Sequence, residues 1–117
     1  MNLTKQGLIN SWQKRGLISD QRVLEAFRTI SREQFVPSGF ESKAYHDVPL
    51  KIGYGQTISQ PFTLLSMIEL LNVTKTDKIL EIGAGSGYGA AILGQLASQV
   101  YAIEIVSELV KLAQGNL

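Results

Sequence analysis

The ten residues from 80 to 89 read LEIGAGSGYG, and they decide the fold that the whole sequence predicts. The stretch begins as an apolar strand and becomes a glycine-rich turn at Gly83, Gly85 and Gly87. Glycine is favoured where the backbone takes a positive φ or where a ligand approaches the main chain closely. Such a turn between a strand and a helix is typical of cofactor sites in α/β folds.

The spacing of the glycines separates the cofactors that use such a turn. The dinucleotide pattern G-x-G-x-x-G requires glycine or alanine at position 88, where this sequence has Tyr88. A phosphate-binding loop needs Gly-Lys-Ser/Thr after the turn, and none follows here. The spacing G-x-G-x-G after a strand with an acid near its end, here Glu81, indicates S-adenosylmethionine. The methionine part of that molecule carries an ammonium group, which we expect Glu81 to bind directly or through water.

A second acid follows the next predicted strand. Glu104 lies 21 residues after Gly83, close to the ~20 residues expected for a carboxylate that accepts hydrogen bonds from both ribose hydroxyls. An acid at the end of a strand can also be a solvated surface residue. The turn could also be a degenerate dinucleotide site of an oxidoreductase, although Tyr88 argues against it. The strand, Glu81, the glycines and Glu104 together favour S-adenosylmethionine.

The elements around the turn predict the opening of a doubly wound, Rossmann-like α/β sheet with parallel strands. We expect strands over 76–82 and 99–105, helices over 88–97 and over 107–117, and a helix from Pro61 that buries Leu64, Met67, Ile68 and Leu71. Both strands are nearly continuous apolar runs, so we expect both to be buried. Upstream we expect a helix over 3–16, a second helix with Ser19 or Asp20 as its N-cap, and an irregular stretch over 35–55 with short extended pieces at most.

These elements predict one domain over 1–117 that is incomplete after its second core strand. Residues 1–60 would form a helical lead-in and an active-site loop, and residues 61–117 a cofactor-binding half in the order α-β-α-β-α. A sheet of two such strands would expose an apolar edge. We therefore expect the chain to self-associate through that edge, to swap elements with a copy, or to need a partner chain.

Composition and charge exclude several classes of function. The net charge is +1 with Lys and Arg scattered singly, which predicts neither a nucleic-acid nor a membrane partner. The sequence has no cysteine, which fits a cytoplasmic protein, and no apolar run near the ~20 residues of a membrane span. His46 and Asp47 are too few ligands for a typical metal site, so we expect no metal and interpret His46 as a loop residue.

Three segments together resemble the protein-L-isoaspartate O-methyltransferase family: REQFVP at 32–37, AYHDVPLKIGYGQTISQP at 44–61 and LEIGAGSGY at 80–88. GQTISQP is the most specific part, and the resemblance covers only the N-terminal part of the family's domain. It implies a class I methyltransferase sheet and S-adenosylmethionine as cofactor. It also implies methyl transfer to the free carboxylate of isoaspartyl residues in damaged proteins, a protein-repair reaction whose partners are isoaspartyl proteins or peptides.

The resemblance also implies roles for single residues. Ser59 matches the serine that the family places beside the transferred methyl group, and other positions match a loop over the cofactor and its contacts: Gln56, Thr57, Ile58, Gly83, Gly85 and Glu104. A carboxylate with a pKa near ~4 is ionised at pH 7, so the reaction needs no general base. From the residues alone, Ser59 or Gln60 could simply cap the helix that begins at Pro61. The alternative for the whole chain is a non-catalytic or partner-dependent fragment that acts as a binding module.

Overall fold

The computed structural model describes residues 4–117. Its helices and strands follow the order α1 (Lys5–Lys14), α2 (Gln21–Thr29), β1 (Leu50–Gly53), β2 (Gln56–Ile58), α3 (Pro61–Leu71), β3 (Lys78–Ile82), α4 (Tyr88–Gly94), β4 (Gln99–Ile103) and α5 (Ser107–Asn116), with 3-10 turns at Arg32–Phe35 and Glu41–Lys43. β1 and β2 pair antiparallel as a hairpin, and β3 and β4 pair parallel. The parallel pair with α4 as its crossover confirms the predicted doubly wound start.

The two N-terminal helices begin at side chains that accept hydrogen bonds from the first turn. Thr4 Oγ1 accepts from the Gly7 N–H at 3.0 Å, and Asp20 Oδ1 accepts from the Arg22 N–H at 2.9 Å. Asp20 rather than Ser19 is therefore the cap of α2. The helix predicted over 3–16 corresponds to α1, which ends at Lys14 before a glycine with φ 66° at position 16. Its predicted first residue, at position 3, lies outside the described residues.

The core lies among α1, α2, α3 and α4. The rings of Trp12 and Phe27 are 5.1 Å apart between α1 and α2, and Ile92 of α4 is fully buried. α3 contributes Leu65 and Ile68, because the face that carries them packs toward α2. The predicted apolar stripe of α3 is therefore partly wrong: Ile68 is buried and Leu64 half-buried, but Met67 and Leu71 are exposed.

One face of the β3–β4 pair is open. Leu80 pairs with Tyr101 and Ile82 with Ile103, so these four side chains share one face of the sheet, and they are between 52% and 77% exposed. The expectation that both strands are buried is wrong for this face, which we call the open sheet face. The reason is that α4, which contacts both strands, lies against the opposite face.

The stretch predicted to be irregular ends in a short hairpin, whose second strand, β2, follows it directly. The hairpin of β1 and β2 turns through Tyr54 and Gly55, with φ 56° and 72°, and its pairing register shifts between Lys51 and Gly53. Both strands are only three or four residues long, which agrees with short extended pieces. Within residues 4–117 no helix is long and apolar enough to cross a bilayer.

Candidate functional site at the glycine turn

The glycine turn joins β3 to α4 and has the backbone that only glycine adopts readily. Gly83, Gly85 and Gly87 have φ values of 88°, 56° and 94°. The main-chain N–H groups of Gly83 and Ala84 donate to the Ile103 carbonyl at 2.8 and 3.0 Å, which holds the turn at the end of β4. A Cβ on Gly83 would meet open space, so the main chain at this point is accessible to a ligand.

The β1–β2 hairpin lies against this turn and encloses a cleft of about 70 Å³. The cleft brings together six of the predicted site residues: Thr57, Ile58, Ser59, Glu81, Gly83 and Gly85. Its remaining lining residues, which the sequence reasoning did not single out as site residues, are Leu64, Ala84, Ser86, Tyr88 and Gly89. The cleft is small compared with the ~300–1,000 Å³ of a full ligand pocket, so it would enclose only one end of a large cofactor.

Ser59 is exposed, and within the described residues its hydroxyl takes part in no hydrogen bond. Gln60 occupies the N-cap position of α3 without a side-chain cap. Asp47 instead supplies the capping oxygen, because its Oδ1 accepts from the Phe62 N–H at 2.9 Å. The explanation of Ser59 as a helix cap therefore fails, and its hydroxyl is free for a ligand.

Glu81 lines the cleft with a carboxylate that is partly buried and has a raised pKa. Its Oε1 is buried without a hydrogen-bond partner among the described residues, and burial raises the pKa of this carboxyl to about 7. A Cβ on Gly89 would stand 2.3 Å from Glu81 Oε2, so only glycine at position 89 leaves room for the carboxylate. An unpartnered buried carboxylate next to a cleft suits a cationic group. The sequence signal that could have identified Gly89 is that it continues the two-residue spacing of Gly83, Gly85 and Gly87.

Glu104 does not line the cleft, but its carboxylate is hydrogen-bonded to the glycine turn. Its Oε2 accepts from the Val106 N–H at 3.0 Å and its Oε1 from the Gly85 N–H at 2.8 Å. These two main-chain donors, Val106 first, lower the pKa of Glu104. Each carboxylate oxygen has a further lone pair available for a ligand hydroxyl.

Two other predicted site residues lie outside the cleft. Gly87 is buried against α5, where a Cβ would stand 3.2 Å from Leu117 Cγ and 3.3 Å from Ala113 Cβ. Gln56 is exposed at the start of β2. Gly87 thus has a packing reason to be glycine besides its positive φ.

The sequence analysis also discussed Tyr88 and His46. Tyr88 is buried and its ring packs 5.3 Å from that of Phe35, while the close approach of α4 to β3 falls one residue later, at Gly89. His46 is half-buried in the loop before β1.

Within residues 4–117 there is no group of three acidic, histidine or cysteine side chains that could hold a metal. A larger groove of about 450 Å³ beside α2 contains none of the predicted site residues.

A family model and many curated proteins match this chain. The model described as Protein-L-isoaspartate(D-aspartate) O-methyltransferase (PCMT) matches residues 3–117. A protein-L-isoaspartate O-methyltransferase of Synechococcus sp. is 53% identical over 104 residues, which are 89% of this chain and 42% of that protein. One of Koribacter versatilis is 45% identical over 115 residues, which are 98% of this chain and 52% of that protein. The chain spans about half the length of the curated relatives it matches.

Solved structures show the same likeness. A protein-L-isoaspartate O-methyltransferase superposes with a TM-score of 0.84 at 29% identity, over 97% of this chain and 38% of that one. A beta-aspartate methyltransferase from Plasmodium falciparum, in complex with S-adenosyl-L-homocysteine, superposes with a TM-score of 0.79 at 25% identity, over 99% of this chain and 55% of that one.

Proposed function

Because the chain belongs to the protein-L-isoaspartate(D-aspartate) O-methyltransferase family, we propose that it forms the cleft of an enzyme that methylates isoaspartyl residues. The methyl donor would be S-adenosylmethionine, and the acceptor the free carboxylate of an isoaspartyl residue in a damaged protein. One observation carries this proposal: the free hydroxyl of Ser59 and the buried carboxylate of Glu81 line one cleft with the glycine turn. The S-adenosyl-L-homocysteine in the Plasmodium falciparum structure supports the cofactor class.

The residues of the cleft, together with Glu104 beside it, fit this cofactor. The unpartnered carboxylate of Glu81 suits the ammonium group of its methionine end. The open main chain at Gly83 allows close approach, and Glu104 at the next strand end has acceptor capacity left for ribose hydroxyls. When bound, S-adenosylmethionine would supply a methyl group on a sulfonium.

The chain's own contribution would be orientation and exclusion of water. The acceptor carboxylate is ionised at pH 7, so no side chain has to remove a proton. The Ser59 hydroxyl would donate a hydrogen bond to that carboxylate and fix its direction of attack. The apolar side chains of Ile58 and Leu64 line the same cleft and would keep water away.

The cofactor class is tested by calorimetric titration of S-adenosylmethionine, S-adenosylhomocysteine and NAD. The protein to be titrated is a fusion of this chain with the C-terminal part of the Synechococcus relative. We call this fusion the extended chain. We expect the first two ligands to bind and NAD not to bind. Gly83→Ala should weaken binding about tenfold, since a Cβ is strained at φ 88° and intrudes on the ligand. Gly94→Ala is the matched control, because a Cβ there meets open space at an ordinary φ.

The two other functions would give different titrations. Binding of NAD alone would indicate an oxidoreductase. Binding of none of the three ligands would indicate a binding module without a cofactor. Either result would overturn the proposal.

A further inference from the structure

Arg32 is the only charged side chain among residues 4–117 that is fully buried, with 0% exposure. The ion pairs of the described residues are Arg22–Asp20 and Arg28–Glu25, so no carboxylate pairs with Arg32. Burial lowers the pKa of its guanidinium. A buried charge that is in no ion pair is costly, and hydrogen bonds to protein acceptors offset part of that cost.

Those hydrogen bonds go to three main-chain carbonyls of the loop that leads to the cleft. Arg32 Nη1 donates to the Ala44 carbonyl, and Nη2 donates to the Val48 carbonyl at 3.3 Å and to the Ser59 carbonyl at 3.0 Å. The three acceptors lie 12, 16 and 27 residues away along the chain. One guanidinium therefore holds together both ends of the segment from 44 to 59. Only the planar fork of arginine offers donors in this arrangement.

Arg32 also contacts the opposite wall of the cleft. Its Cζ lies 6.0 Å from the centre of the Tyr88 ring, and Tyr88 directly follows the glycine turn. The guanidinium thus sits between the loop that carries Ser59 and the helix that carries the turn. It is thus in reach of both walls of the cleft.

We propose that Arg32 is a positioning residue for the reaction: it fixes the main chain of Ser59 relative to the glycine turn. Arg32 touches neither cofactor nor acceptor and acts through Ser59. This inference rests on the proposed function, in which Ser59 orients the acceptor carboxylate.

The test is a double-mutant cycle on methyl transfer to an isoaspartyl peptide by the extended chain. Arg32→Lys keeps the charge and removes the fork, and we expect it to lower kcat about 10- to 100-fold, because misplaced groups lose orientation. Affinity for S-adenosylhomocysteine should stay within about twofold, since Arg32 does not line the cleft. In the Ser59→Ala background the Arg32→Lys effect should shrink to less than about twofold, since the residue acts through Ser59.

Arg22→Lys is the matched control. Arg22 also donates to a main-chain carbonyl, that of Val73 at 2.7 Å, but outside the cleft. Its substitution should leave turnover unchanged. Melting curves of all variants set the assay temperature. If Arg32→Lys melts below that temperature, Arg32→Gln, which keeps an amide donor, is used in its place. Unchanged turnover in Arg32→Lys, or an equal loss in the Ser59 and Ser59→Ala backgrounds, would overturn the inference.

Amide hydrogen exchange separates this inference from the proposed function. In the 117-residue chain, Arg32→Lys should speed exchange over residues 44–60 more than Arg22→Lys does. Equal exchange in the two variants would contradict a positioning role even if no methyl transfer were ever detected. Absence of turnover in the unaltered extended chain would instead overturn the proposed function.

Discussion

At the scale of single residues, the cleft keeps one carboxylate buried and without a partner. Glu81 has no hydrogen bond on Oε1, and its pKa is raised to about 7 by burial. Glu81 therefore changes its charge near neutral pH. Such a group binds a cation more strongly when it is ionised, so ligand binding and proton release are coupled.

We predict that affinity for S-adenosylhomocysteine rises with pH between 6 and 8. Below the pKa of Glu81 the carboxyl is neutral and attracts an ammonium group weakly, and above it the carboxylate attracts that group. Calorimetry of the extended chain across this range measures the effect. Glu81→Gln should remove the pH dependence, while affinity that is equally pH-dependent in both proteins would place the ammonium elsewhere.

Glu104 leads to a second prediction at this scale. Both carboxylate oxygens accept main-chain N–H groups, so the amide of Glu104→Gln would set an NH₂ against one of these donors. We expect Glu104→Gln and Glu104→Ala to weaken cofactor binding by a similar amount, about 1 to 3 kcal/mol. Glu108→Gln, an exposed acid of α5, is the control and should have no effect. Cofactor affinity of Glu104→Gln equal to that of the unaltered protein would contradict this role.

The sequence singled out residues whose proposed role follows from local spacing. Motif positions hold the glycines, Glu81, Ser59 and Glu104. Of the predicted site residues, three lie outside the cleft, namely Gly87, Gln56 and Glu104, and the other six line it. Arg32, the proposed positioning residue, was not singled out because its hydrogen-bond acceptors lie up to 27 residues away. No pattern in a single sequence connects an arginine to three distant carbonyls.

At the scale of elements, the approach of α4 to β3 shapes the cleft. Gly89 lies in the first turn of α4 and leaves the space that the Glu81 carboxylate of β3 occupies. Helix, strand and turn were predictable from periodicity and glycine spacing. The β1–β2 hairpin was not, because strands of three or four residues with a register shift carry little alternation.

We predict that Gly89→Ala weakens cofactor binding about tenfold with a small change in melting temperature. The new Cβ displaces only the far end of a side chain, Glu81 Oε2, so the fold adapts while a charged contact is lost. Calorimetry and thermal melts of the extended chain measure both quantities. Gly94→Ala in the same helix is the control, and a Gly89→Ala protein with normal cofactor affinity would contradict the arrangement.

At the scale of the whole molecule, the open sheet face is the outstanding feature. It exposes Leu80, Ile82, Tyr101 and Ile103 on two adjacent strands, and the chain spans about half the length of its curated relatives. A two-stranded sheet with a bare apolar face is marginal alone. The sequence suggested cover on both faces, and the described residues provide it on one.

We predict that the 117-residue chain by itself self-associates and shows little or no methyl transfer. Sedimentation velocity and a peptide assay on the same sample measure both. Ile103→Lys should reduce self-association, since it charges the open sheet face, whereas Gln13→Lys on the exposed side of α1 should not. A stable monomer that turns over at the rate of a full-length relative would contradict this prediction.

The central claim is tested most directly by methyl transfer from labelled S-adenosylmethionine to a pair of peptides. The two peptides differ only in one residue, isoaspartyl in the first and aspartyl in the second. The account predicts that the extended chain labels the isoaspartyl peptide alone, and that Ser59→Ala lowers the rate about 10- to 1000-fold with little change in cofactor affinity. Equal labelling of both peptides, or full activity in Ser59→Ala, would contradict it.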